Sequence, residues 1–165
     1  MATKDTFTPE EWTLLRLAPS FVSVGVSAVD PSGLIATIKE VIAGANRTMA
    51  TLNANNSLEL FSALAADRSI PGVPDVDTLV GNGPLELQMM NFKLAALDRV
   101  AEASELVGRK AFPAEAEAYR KMLVAVAEEA ANASMEGGFL GLGGVRVSER
   151  ERAFIDDVSK AAGLG

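Results

Sequence analysis

Leu34, Ile35, Ile38, Val41, Ile42, Ala45, Met49 and Leu52 fall along one line of a 3.6-residue period, with polar and small residues between them. A strand alternates its faces at every residue, so this spacing fits a helix and not a sheet. A stripe of that length has to be sealed against other elements, and any fold of this chain is built around at least one long amphipathic helix. Asp30-Pro31 supplies a cap and a proline at its start, and Asn53 to Asn56 ends it.

The same grammar recurs along the chain. Thr8 can cap, Pro9 suits a first helical position and Glu11 completes a capping box, while Phe7 and Trp12 stand where a hydrophobic staple needs them. Beyond Pro19, Val22, Val24 and Val26 alternate with Ser23, Gly25 and Ser27 as a strand would. Leu14, Ala18, Phe21, Val22, Gly25 and Val29 keep helical spacing, so the reading is a helix broken or kinked at the proline. Ser57 caps a shorter helix with Leu58, Phe61, Leu64 and Ala65 inward. Residues 69 to 84 hold three prolines and three glycines and read as a long loop. Pro84 opens a helix with Leu87, Met90, Leu94, Leu97, Val100 and Ala101 on its inner face, stopping near Gly108. Pro113 opens another, to about Ser134, with Ala116, Tyr119, Leu123, Val126, Ala127 and Ala130 inward. Ser148 and Glu151 form a second capping box, followed by the stripe Phe154, Ile155, Val158 and Ala162, with Gly163 at the C-cap. The expected fold is all-α: a single domain over residues 1 to 165, a bundle of five to seven helices with one long loop and a glycine-rich connector.

Cysteine and histidine are both absent from the 165 residues. That removes disulfides, thiolate nucleophiles, imidazole bases and ordinary zinc, haem or iron–sulfur sites. With 15 basic and 22 acidic residues the net charge is −7, which repels phosphate backbones and anionic lipid surfaces. Nucleic acid is not an expected partner. The longest apolar run, residues 17 to 29, is thirteen residues against the roughly 20 a bilayer span needs. No membrane span is expected, and the mixed charges of the first twelve residues, without an apolar core of signal-peptide type, point to the cytoplasm.

Two irregular regions hold the candidate sites. Residues 137 to 144 contain five glycines with Phe139, Leu140 and Leu142 between them, and Arg146 follows. A phosphate cradle is disfavoured, because a helix and not a strand precedes, no Gly-Lys-Ser/Thr is present and the glycine spacing misses Gly-x-Gly-x-x-Gly. The segment reads as a connector whose apolar residues tuck into the bundle end, with two functional alternatives: a mobile lid, or a ligand and partner site made by Phe139, Leu140, Leu142 and Arg146. In the long loop, Asp75 and Asp77 offer oxygen ligands to a hard cation, with Asp67 just upstream. Asp75-Val76-Asp77 resembles the start of a calcium loop, but the obligatory glycine and late glutamate are missing. The acidic pairs Glu102/Glu105, Glu115/Glu117, Glu128/Glu129 and Asp156/Asp157 read as solvated helix surface. No cofactor is expected.

The closing segment, through Gly144, Val147, Ser148, Glu151, Phe154, Ile155 and Leu164, resembles the last helix of tellurite-resistance TerB-like helical domains. Such domains carry an Asp-Gly associated with acidic metal binding. Gly143-Gly144 stands in its place, so what the resemblance carries over is the helical fold. Composition leads instead to a non-enzymatic interaction or regulatory module, with a homo-oligomer or another protein as partner, since apolar residues are in surplus and catalytic types are missing. Two alternatives stand beside it. One is a bundle binding a small molecule or lipid in an apolar pocket gated by the glycine-rich loop. The other is an enzyme working through carboxylates and Mg²⁺, which requires buried acids converging in one cleft.

Overall fold

The computed structural model describes residues 2–29, 34–69, 76–135 and 147–165, without the side chains of 34–39, 76, 77, 134 and 135. A short 3-10 turn (Lys4–Thr6) is followed by seven α-helices among the described residues: α1 (Pro9–Val29), α2 (Leu34–Ala54), α3 (Glu59–Ala66), α4 (Val76–Val80), α5 (Leu85–Lys110), α6 (Pro113–Met135) and α7 (Glu149–Ala161). None of the described residues forms a strand, and the fold is an all-α bundle.

α1 is the hub and packs against α2, α5, α6 and α7. Its start is as the sequence indicates: Thr8 N–H donates to Glu11 at 2.8 Å, Glu11 N–H donates to the Thr8 hydroxyl at 3.2 Å, and the Phe7 and Trp12 rings lie 5.8 Å apart. By length and composition α1 is apolar enough to cross a membrane. In this fold Trp12, Leu15, Ala18, Val22 and Val26 are instead enclosed by other helices.

The helical reading past Pro19 holds, and the helix is not broken there: α1 runs on as one helix to Val29. Proline has no N–H, so the carbonyl of Leu15, four residues earlier, loses its helical donor. The hydroxyl of Tyr119, from α6, donates to that carbonyl at 2.7 Å. Tyr119 is fully buried, and burial pushes its phenol well above the ordinary range. The Ser23 hydroxyl donates to the Pro19 carbonyl at 3.1 Å. A long-range side chain therefore completes the helix where its own backbone cannot.

α2 overturns a second expectation. Its wall toward the bundle runs through Glu40, Gly44 and Leu52, while Ile42 and Met49, from the apolar stripe, remain 55% and 39% exposed. Gly44 explains the choice: a Cβ there would lie 1.9 Å from the Ser23 hydroxyl oxygen and 3.3 Å from Val126. Close contact at that crossing holds α2 in the groove between α1 and α6 and leaves Ile42 and Met49 outside. α7 docks in a similar way, with the ring of buried Phe154 set where a Cβ on Gly25 of α1 would come within 2.5 Å.

Residues 69 to 84 are not wholly irregular, because α4 lies within them. Asp77 therefore sits on a helix and not in a loop. α3 begins at Glu59 with Leu58 at its N-cap, and Ser57 is exposed and does not cap. The first-turn N–H of Leu60 instead donates to Glu115, from α6, at 3.1 Å. On α6 the six residues expected inside, Ala116, Tyr119, Leu123, Val126, Ala127 and Ala130, are all buried. α7 carries the expected capping box, Ser148 N–H to Glu151 at 2.7 Å and Glu151 N–H to the Ser148 hydroxyl at 3.2 Å.

Candidate functional site

α5 spans 26 residues and changes character along its length. Ala96, Val100, Ala103, Leu106 and Val107 are buried, and no residue from Leu85 to Ala95 is. Of the face expected inside, Val100 is buried as expected. The rest turns outward to differing degrees: Leu87, Met90 and Leu94 are 41%, 52% and 52% exposed, Leu97 is half-buried and Ala101 is exposed. These five residues recur at i, i+3, i+7, i+10 and i+14, the a/d spacing by which one helix seals against another.

The back of α5 is firmly held, which fixes the orientation of that stripe. Phe92 stacks on Phe21 of α1 with ring centroids 5.7 Å apart, and Lys93 pairs with Asp157 of α7 at 2.9 Å. The Asn91 amide donates to the Val80 carbonyl at 2.8 Å and ties α4 to the flank. The ion pairs Arg99–Glu102 (2.8 Å) and Arg109–Glu105 (3.1 Å) lie on the helix surface and contribute at most about 0.5 kcal/mol each.

Phe139, Leu140, Leu142, Arg146 and Asp75 lie outside the described residues, and so does the side chain of Asp77. Among the described residues no three carboxylates gather into a group that could hold a metal ion.

Among the described residues three carboxylates are buried, each on a different element. Glu115 is 1% exposed and accepts from the N–H groups of Ala2 (3.1 Å), Leu60 (3.1 Å) and Phe112 (3.0 Å), tying the amino terminus and the starts of α3 and α6 together. Its reading as half of a solvated pair with Glu117 is thereby corrected. Glu151 sits in the α7 capping box, and Glu40 accepts from the Ser27 hydroxyl across the α1–α2 contact. Sequence offers one sign for Glu115, its place three residues after the α6 cap; its other donors are remote in the chain.

Asp67, which follows α3 and was read from sequence as an oxygen ligand beside Asp75 and Asp77, is instead a second centre of internal hydrogen bonds. Its carboxylate, with an 8% exposed side chain, accepts from Ser69 N–H (2.9 Å) and hydroxyl (2.6 Å), from Lys4 (2.9 Å) and from the Trp12 indole N–H (2.7 Å), with Arg16 3.6 Å away. The Ser69 hydroxyl above all, then Lys4 and Trp12, hold this carboxyl far below the usual carboxylate range. The partners are structural, and the group clamps the chain entry to the exit of α3. No family model matches the sequence, and neither a curated protein nor a solved structure matches it.

Proposed function

We propose that this chain is a non-enzymatic helical interaction module that works by self-association, two copies meeting through the outward face of α5. The observation that carries the reading is the row Leu87, Met90 and Leu94, large apolar residues about half exposed at heptad spacing on a helix anchored from behind. Covering what remains exposed of each of these half-buried side chains is worth roughly 0.7–1.5 kcal/mol, about half the value of a full burial. A second copy supplies the same row, and isologous pairing is the commonest form of assembly among soluble proteins. The absence of cysteine and histidine favours a binding role over a catalytic one.

Size-exclusion chromatography with light scattering on the wild type and on Met90→Glu/Leu94→Glu tests the proposal. The expected outcome is a concentration-dependent rise from monomer to dimer mass for the wild type, and monomer mass for the variant with unchanged helical circular dichroism. A wild type that stays monomeric over the whole range, or a variant that assembles equally well, defeats it.

A further inference from the structure

Away from α5, residues of α1, α2, α3 and α6 line a pocket of about 160 Å³ that opens to solvent. Its interior is made by Leu15, Pro19, Leu52, Leu64 and Met122, and Met49 stands beside them with 39% of its surface exposed. A dry cavity of about 150 Å³ lined by aliphatic and aromatic side chains admits benzene. One six-membered ring therefore matches this space, and an acyl chain of lipid length does not. Two methionines on its wall favour that ring, because thioether sulfur packs well against aromatic edges.

The mouth is cationic, in a chain of net charge −7. Arg16 is held from behind by Ser69 and the Asp67 backbone, with its NH1 donating to the Ser69 hydroxyl at 2.8 Å and its NH2 to the Asp67 carbonyl at 3.3 Å. Arg68 lines the same opening, is exposed and has no ion-pair partner among the described residues. Asp67, the acid at this mouth, already accepts from Lys4, Trp12 and Ser69. A one-ring pocket with an aliphatic floor, beneath a guanidinium that has no ion-pair partner among the described residues, is complementary to an amphiphile of that size carrying one negative charge.

We infer that this cavity binds a small aromatic monocarboxylate, its ring between Leu15, Leu64 and Met122 and its carboxylate toward Arg68. The inference is independent of the self-association proposed above. Benzoate is the probe, with benzyl alcohol as its uncharged counterpart, titrated against the full chain while the methionine methyl and Trp12 indole resonances are followed by NMR. Trp12 reports because its N–H is held by Asp67 at the mouth. The expected result is saturable shifts of Met122, Met49 and Trp12 with a dissociation constant on the order of 0.1–1 mM, the affinity of a ligand of this size. Arg68→Gln weakens benzoate about tenfold and leaves benzyl alcohol unchanged. Ala65→Leu, which fills the cavity from α3, abolishes both. The inference is overturned by the absence of saturable shifts up to about 10 mM benzoate, by benzyl alcohol binding as tightly as benzoate, or by binding that survives Ala65→Leu.

Discussion

The two halves of α5 use similar residues in opposite environments. From Ala96 to Val107 the helix presents two alanines, two valines, a leucine and a serine to the core, and from Leu85 to Ala95 it leaves three leucines and a methionine exposed. Hydrophobicity alone predicts the reverse. The difference lies in how near a neighbouring axis can come: alanine-sized residues let α1 and α6 approach closely, and the dense contact this creates outweighs the burial of larger side chains elsewhere. α2 repeats the lesson, with Gly44 at the crossing and Ile42 outside.

The contrast between apolar side chains seated at close helix crossings and those left outside is most severely tested by truncating one of each kind. Phe154→Ala removes the ring seated over Gly25 and is expected to destabilise the fold by about 3–5 kcal/mol in urea titration. A loss below about 1 kcal/mol breaks the contrast at its strong end. Tyr119→Phe takes the donor from the Leu15 carbonyl, with an expected loss of about 1–3 kcal/mol. Pro19→Ala in the same chain restores a backbone N–H for that carbonyl, so the double variant recovers most of the loss; additive effects of the two substitutions refute the pairing.

Asp67→Asn is expected to lower Tm by less, and in a pH-dependent way. The folded pKa lies below the unfolded value of about 3.9, so the ionised carboxylate stabilises the fold above that pH, and the contribution is lost as pH falls below it toward the folded value. Thermal melts of wild type and variant should differ at neutral pH and converge in acid, whereas a gap that widens in acid has the wrong sign. The smallest effect belongs to Leu94→Ala, which should change monomer stability by no more than about 0.5 kcal/mol at concentrations too low for assembly. A core-sized loss there would place Leu94 inside the fold.

Helix starts were legible in the sequence because their signals are local: Thr8 with Glu11 and Ser148 with Glu151 each bond within four residues. The buried face of α6 was legible too, since alanine and large apolar residues agree on it. On α2 and α5 they disagree, and which set turns inward depends on Ser23, Val126 and the other helices, which no single-helix pattern contains. The continuity of α1 through Pro19 rests on a tyrosine 100 residues away, and the burial of Glu115 on donors at positions 2 and 60. The site residues read from sequence, Phe139, Leu140, Leu142, Arg146, Asp75 and Asp77, have no side chain among those described. The stripe on α5 was visible in the sequence, but of its residues Val100 is buried while Leu87, Met90 and Leu94 face outward.

Because the chain has no cysteine of its own, one introduced thiol carries a unique spin label. Electron–electron dipolar spectroscopy on Asp98→Cys, labelled beside the α5 stripe, measures the meeting of two α5 helices directly. With axes 8–10 Å apart and a 1.5 Å rise per residue, labels in a dimer paired through α5 lie within about 35 Å in either relative direction. The account expects a distance in that range at Asp98 and a longer one for a label at Asn132 on α6. A shorter distance at Asn132, or a featureless decay at Asp98 at concentrations where light scattering reports dimer, contradicts it.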